Sequence, residues 1–147
     1  MNNEQLMTRA ADNIRILAAS MVERAKSGHP GGAMGGADFI NVLFSEFLIF
    51  DPNDPKWPGR DRFFLDPGHM SPMLYAQLSL IGKYSMQELQ QFRQWGSPTP
   101  GHPEVDVLRG VENTSGAHLR CGSSDRRQVP RRATRLGDEP DDLCLYL

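Results

Sequence analysis

Three histidines, His29, His69 and His102, each stand immediately after a glycine, and a proline follows the first and the third. Imidazole titrates near neutrality and carries two distinct ring nitrogens, which suits proton transfer and the binding of hydroxyl groups. A proline restrains the residue before it to extended backbone, and glycine allows a ligand to come close to the main chain. This pattern predicts histidines presented on bends rather than on the apolar face of a helix. A metal site is the rival chemistry, but the separations lack the short spacing of zinc ligands and no cysteine or carboxylate motif accompanies them. Histidines with no role on surface loops, and a Gly28–Pro30 break that merely stops a helix, are the other readings. Convergence of the three on one polar pocket is the favoured one.

The elements that must position these residues are readable from periodicity. From Gln5 to Lys26, apolar residues recur at Met7, Ala10, Ile14, Leu17, Ala18, Met21, Val22 and Ala25, one face of an amphipathic helix. Lys26 suits the last turn and Gly28 the terminator. The stretch Ser27–Gly36 is predicted to be a glycine-rich, ligand-facing bend. Ala37 to Ile49 is apolar around most of its circumference and predicts a helix buried in a larger core or against a partner, because a small domain alone would struggle to cover it.

Asp51 to Arg60, with Pro52, Pro55, Pro58 and Gly59, reads as a loop, and Phe63-Phe64-Leu65 as a short buried strand. The turn Asp66-Pro67-Gly68-His69 then delivers the second histidine at a strand's carboxyl end, where open α/β sheets bind ligands. Met70 to Ile81 returns to helical spacing. Ser85 and Glu88 form a capping box for a helix predicted to run to Phe92 or Arg93. Ser97–Glu104 is a rigid loop bearing the third histidine, and Gly110–Gly116 a polar turn.

Composition narrows the function classes. With 147 residues and a formal net charge of −2, the chain suits one domain and makes no electrostatic case for nucleic acid or an anionic membrane. Asp38, Asn41, Ser45 and Glu46 interrupt the longest apolar run before it reaches the roughly 18 residues of a membrane span. The opening Met1–Gln5 has no basic flank followed by an apolar core, so a secretory signal is not read and a cytoplasmic location is expected. Cys121 and Cys144 match no metal or redox spacing.

Lys26–Gly31, Asp61-Arg62-Phe63, Gly68-His69-Met70-Ser71, Thr99–Glu104 and Gly110–Gly116 occur in the order and at the spacing of the N-terminal region of transketolases. The resemblance covers Asn3 to Gly116, less than a quarter of such a subunit. Related thiamine enzymes that make deoxyxylulose phosphate share the early glycine–histidine bend, but the two later motifs fit transketolase better. The resemblance implies an α/β, thiamine-diphosphate-binding fold, of which this is the mostly helical N-terminal part. It also implies thiamine diphosphate held by Mg²⁺, sites at a homodimer interface, and transfer of a two-carbon ketol unit between sugar phosphates in the pentose phosphate pathway.

Carried over by position, His29 resembles the histidine that binds substrate hydroxyls and assists proton transfer. His69 resembles the one beside the cofactor and donor, and His102 the one at the reacting end of the sugar. Gly116 matches the first glycine of a turn whose backbone approaches the cofactor.

After Gly116 the match to that region ends. Codons permitted for Ala117–Pro130, read one nucleotide later, can encode His-Thr-Tyr-Ala-Val-Gly-Ala-Ala-Ile-Ala-Ala-Lys-Phe, which resembles the family's next helix. In the same frame Asp138–Leu147 can encode Met-Asn-Gln-Thr-Ile-Tyr-Ala-Tyr-Ile, which resembles its next strand. Residues 1–116 are therefore expected to be a truncated cofactor-binding domain and 117–147 a frameshifted, disordered tail. A basic nucleic-acid patch is the rival for the tail, but its six arginines lack interleaved aromatics and are accompanied by five acidic residues. The fragment is expected to be inactive alone. The alternatives are the N-terminal part of a split transketolase completed by a partner chain, and a non-catalytic binding module on the same scaffold.

Overall fold

The structure, a computed structural model, describes residues 3–112 and the backbone of 142–146. Five helices and a parallel strand pair make up its regular elements: α1 (Asn3–Ala25), α2 (Pro30–Gly35), α3 (Ala37–Val42), β1 (Arg62–Asp66), α4 (Ser71–Leu80), α5 (Met86–Leu89) and β2 (Asp142–Tyr146). Short 3-10 turns at Gly68–Met70 and Val107–Arg109 and a π-helical turn at Leu43–Phe47 complete them.

The amphipathic pattern of α1 folds as its sequence predicts. Ala11, Ile14, Ala18 and Met21 are buried on one face, and that face packs on α4, α2 and α3. Helix α4 is the centre of the molecule: Ser71 through Leu78 are all buried. Such a helix can be apolar on every side because others surround it. Tyr75, Leu74, Met73 and Leu78 fill one core with Ile14, Ile40, Leu65 and Phe92. Burying each of these side chains contributes about 1.5–3 kcal/mol relative to exposure.

The glycine-rich stretch departs from expectation. It is helical, with Pro30 in the first turn of α2 and His29 as the extended cap residue at φ −125° and ψ 98°. The glycines divide by helix face. A Cβ on Gly36 would lie 2.5 Å from Met73 Sδ, and one on Gly32 would lie 3.1 Å from Met70, whereas Gly31 and Gly35 face open space. Two of the expected ligand-facing glycines thus serve close packing of α2 against the α4 region.

The expected buried helix over Ala37–Ile49 is shorter and only half covered. Helix α3 gives way to the π turn at Leu43, and the chain leaves it extended at Leu48. Ala37, Ile40, Leu43 and Phe44 are buried, while Phe39, Val42, Phe47 and Ile49 stand exposed, Phe47 at 70%. Among the described residues nothing covers that second face. Helix α5 also ends early, at Leu89 rather than at Phe92 or Arg93, because the next turn tightens, the Gln91 and Phe92 amides bonding three residues back to Glu88 and Leu89, before Arg93 takes a left-handed φ of 62°. Its capping box forms as the sequence predicts, with Ser85 accepting from the Glu88 amide and Glu88 accepting from Ser85.

Strand β1 buries Phe63 and Leu65 and leaves Arg62, Phe64 and Asp66 half-buried. It pairs in parallel with β2, Phe64 opposite Cys144. Within the expected disordered tail, the short apolar run Asp-Leu-Cys-Leu-Tyr therefore forms a strand. Residues 113–141, and with them most of that tail, lie outside the described residues. No helix among the described residues is long and apolar enough to cross a membrane.

Candidate functional site

Each histidine is held by a different local device. His29 sits between α1 and α2, where α1 ends through left-handed Lys26 and a Gly28 at φ 134°. A side chain at Gly28 would meet Val22 and Phe92, so the bend needs glycine for both conformation and space. His69 lies in the Gly68–Met70 turn directly after β1. It is half-buried, and His29 is exposed. Helix α2 packs on that turn, which brings the His29 and His69 rings to 4.9 Å between centroids, tilted by 58°.

His102 is exposed on a loop tied down at three successive backbone oxygens or side chains. Thr99, fully buried, donates from Oγ1 to the Glu88 carbonyl at 3.0 Å. Tyr75 donates its hydroxyl to the Pro100 carbonyl at 3.0 Å, and Ser71 donates to the Gly101 carbonyl at 2.7 Å. Burial, with smaller contributions from Tyr84 and Glu104, pushes the Tyr75 hydroxyl far above the ordinary tyrosine range, so it remains a donor. Ser71 opens α4 two positions after His69. The His102 loop is consequently anchored to the same end of the fold as the His29–His69 pair. No ring contact joins His102 to that pair among the described residues.

The structure thus brings two of the three predicted histidines into contact and tethers the third nearby. Gly116, the fourth predicted residue, lies outside the described residues. Sequence reasoning missed Ser71, Tyr75, Thr99 and Arg93, which do the tethering. Ser71 and Thr99 lay inside recognisable motifs, and their hydroxyls were the available signal; Arg93 offered none.

A second set of contacts fixes the segment leading toward Gly116. Arg60 Nε and Nη2 meet Glu112 Oε1 and Oε2 at 2.8 and 3.0 Å, with both side chains only 10% exposed. Arg109 bonds Glu88 at 2.7 Å and lies over the Tyr84 ring at 4.8 Å. A small cavity of ≈ 40 Å³ lined by Phe44, Leu48, Phe63, Leu78, Arg60 and Glu112 opens near the amino end of β1, away from the histidines. Among the described residues no group of three or more His, Cys, Asp or Glu side chains could hold a metal ion. The imidazoles fit the polar groups of a sugar or cofactor, whereas a Mg²⁺ cage is not formed by these residues.

Comparison with known proteins gives a consistent result. Residues 6–126 match the family described as "Transketolase, thiamine diphosphate binding domain", ten positions beyond Gly116. A transketolase of Cereibacter sphaeroides is 52% identical over 111 residues, covering 74% of this chain and 17% of that protein. Among solved structures, the Leishmania mexicana transketolase superposes with a TM-score of 0.71 at 46% identity, over 75% of this chain and 17% of that one. A Pichia stipitis transketolase in complex with sedoheptulose 7-phosphate gives 0.71 at 43% identity, over 75% and 16%. The chain spans about one sixth of the length of these relatives.

Proposed function

The chain belongs to the transketolase family, through its thiamine diphosphate binding domain, and from that premise we propose that it supplies the histidine-bearing face of a ketol-transfer site. The meeting of His29 and His69 at 4.9 Å, beside the carboxyl end of β1, carries this reading. The substrates are sugar phosphates, a reading supported by the relative solved with sedoheptulose 7-phosphate.

Thiamine diphosphate, when bound, supplies the electron sink for carbon–carbon bond cleavage. The chain's own residues bind and move protons. Exposed His29 accepts or donates protons at donor hydroxyls, and His69, half-buried behind it, orients the donor and the cofactor side. His102, on its anchored loop, contacts the reacting end of the sugar. Gly116 brings backbone close to the cofactor. Ligands for Mg²⁺ are assigned outside the described residues, none of which form a cage.

The family portion runs through the Gly110–Gly116 motif, with its family match reaching residue 126, and the tail beyond Gly116 derives from a shifted reading frame. The helix and strand encoded one nucleotide later support this boundary. The bared face of Phe39, Val42, Phe47 and Ile49 is then the surface that the rest of a thiamine-dependent subunit, within a homodimer, covers.

Calorimetric titration of the chain with Mg²⁺ and thiamine diphosphate tests the assignment. No saturable binding is expected at micromolar concentration from the chain alone. Binding and ketol transfer are expected once a transketolase portion beginning after Glu112 is added, and both are reduced by His29→Ala. Saturable micromolar binding by the chain alone overturns the assignment of the missing ligands. Ketol transfer that is indifferent to His29→Ala overturns the role of the pair.

A further inference from the structure

Among the described residues, Arg93 touches both the His29 bend and the His102 loop. Its Nη1 donates to Ser27 Oγ at 2.8 Å, two residues before His29. Its guanidinium lies close against Gly101, one residue before His102. A Cβ there would be 2.7 Å from Nε and 3.0 Å from Cζ, so the contact requires glycine. The backbone is committed too: Arg93 adopts φ 62°, and its amide donates to the Thr99 carbonyl at 3.0 Å. Its Nε is buried without a hydrogen-bond partner among the described residues. A buried unpaired N–H carries an uncompensated desolvation cost. A left-handed, non-glycine residue with an unpaired N–H is retained only where the surrounding contacts over-determine it.

We infer that Arg93 is a positioning residue that couples the His29 bend to the His102 loop. The inference rests on the proposed role of those histidines. Its contacts complete a closed circuit: Ser27 to Arg93, Arg93 to Gly101, Gly101 to Ser71, and Ser71 through the 68–70 turn to His69. The His69 ring then meets His29, which follows Ser27. Without Arg93 the circuit opens, and among these contacts the His29 and His102 segments are joined only the long way round, through the His29–His69 contact and the Ser71–Gly101 bond. Misplacement by about 1 Å of groups that must act on one substrate can cost about 10²-fold in rate, so a rigid link between the two bends has a direct use.

The test reads the imidazole resonances of His29, His69 and His102 in the ligand-free 147-residue chain. It therefore stands apart from any failure of the ketol-transfer assignment. Ser27→Ala removes one hydroxyl on the His29 side and is expected to move the resonances of both His29 and His102. Arg93→Met is expected to move the same pair, and the double variant to add nothing further. Arg93→Lys keeps a donor for Ser27 but loses the guanidinium contact with Gly101, so the link stays broken and both resonances are expected to remain displaced. Should Arg93→Met fail to fold, Ser27→Ala carries the test alone. A shift confined to His29 in Ser27→Ala, or restoration of the His29 resonance alone by lysine, overturns the coupling.

Discussion

Arg60 and Glu112 grip each other through two parallel hydrogen bonds, at 2.8 and 3.0 Å, with each side chain 10% exposed. The pair joins the loop before β1 to the segment that follows the Asp106–Val111 bridge. Removing one partner strands a nearly buried charge, which costs about 3–5 kcal/mol. Arg60→Met and Glu112→Gln are each expected to lower stability by that amount in urea unfolding. The double variant is expected to lose clearly less than the sum, because neither charge is then left alone.

Alkaline pH should weaken the fold through Tyr84. Burial, the largest cause, pushes its hydroxyl up to about 12, against a smaller lowering by Arg109. A group whose pKa is raised by folding stabilises fully below its unfolded value and loses that contribution as pH rises through the folded one. Stability is therefore expected to be level below about pH 10 and to fall between there and pH 12. Tyr75 acts in the same direction. Tyrosinate absorbance followed beside circular dichroism checks this. Titration of Tyr84 at the ordinary tyrosine pH with the fold intact contradicts it.

The start of α5 should be sensitive to acid. The hydrogen bond from the Ser85 amide is the largest cause holding the Glu88 carboxyl below its ordinary range, with Ser85 Oγ and Arg109 helping against burial. A depressed carboxyl stabilises above its unfolded pKa and loses that as pH falls through the folded one. Ser85→Ala is expected to cost about 0.5–2 kcal/mol at neutral pH. Glu88→Gln is expected to flatten the loss of stability measured by urea unfolding below about pH 4.

Gly35 and Gly36, adjacent in sequence, should respond oppositely to alanine. The Gly36 Cβ would press on Met73 Sδ at 2.5 Å, and overpacking of this kind costs about 1–3 kcal/mol. At Gly35 the space is open and the backbone helical, so alanine is expected to be neutral or to stabilise by up to about 1 kcal/mol. Thermal unfolding of the two single variants, compared with the parent chain, measures the contrast.

Patterns that depend on neighbours in sequence were legible. The buried face of α1, the strand ahead of His69 and the Ser85–Glu88 box all rest on short-range periodicity or local hydrogen bonds. The extended cap geometry of His29 followed from Pro30 alone. Relations set by packing were not legible. Gly32 and Gly36 read as ligand-facing because the methionines they receive arrive from the distant α4 region. Helix α5 was read too long because its last turn tightens to bonds three residues back with no glycine or proline to mark the change. The apolar Ala37–Ile49 segment announced burial, but the described residues supply cover for one face only. At the site, each histidine could be placed on its bend, while the His29–His69 contact and the Arg93 link arise only once α1, α2 and α4 pack together.

The closed circuit of tethers also fixes an order of events. Every group in it lies between Ser27 and His102, and the helices that support it lie between Asn3 and Leu89. A ribosome that releases the chain N-terminus first has delivered all of these groups once residue 102 has cleared the exit. At about 5–20 residues per second, that is several seconds of synthesis. The three imidazoles can then take their mutual geometry during translation, before any later segment arrives to use it.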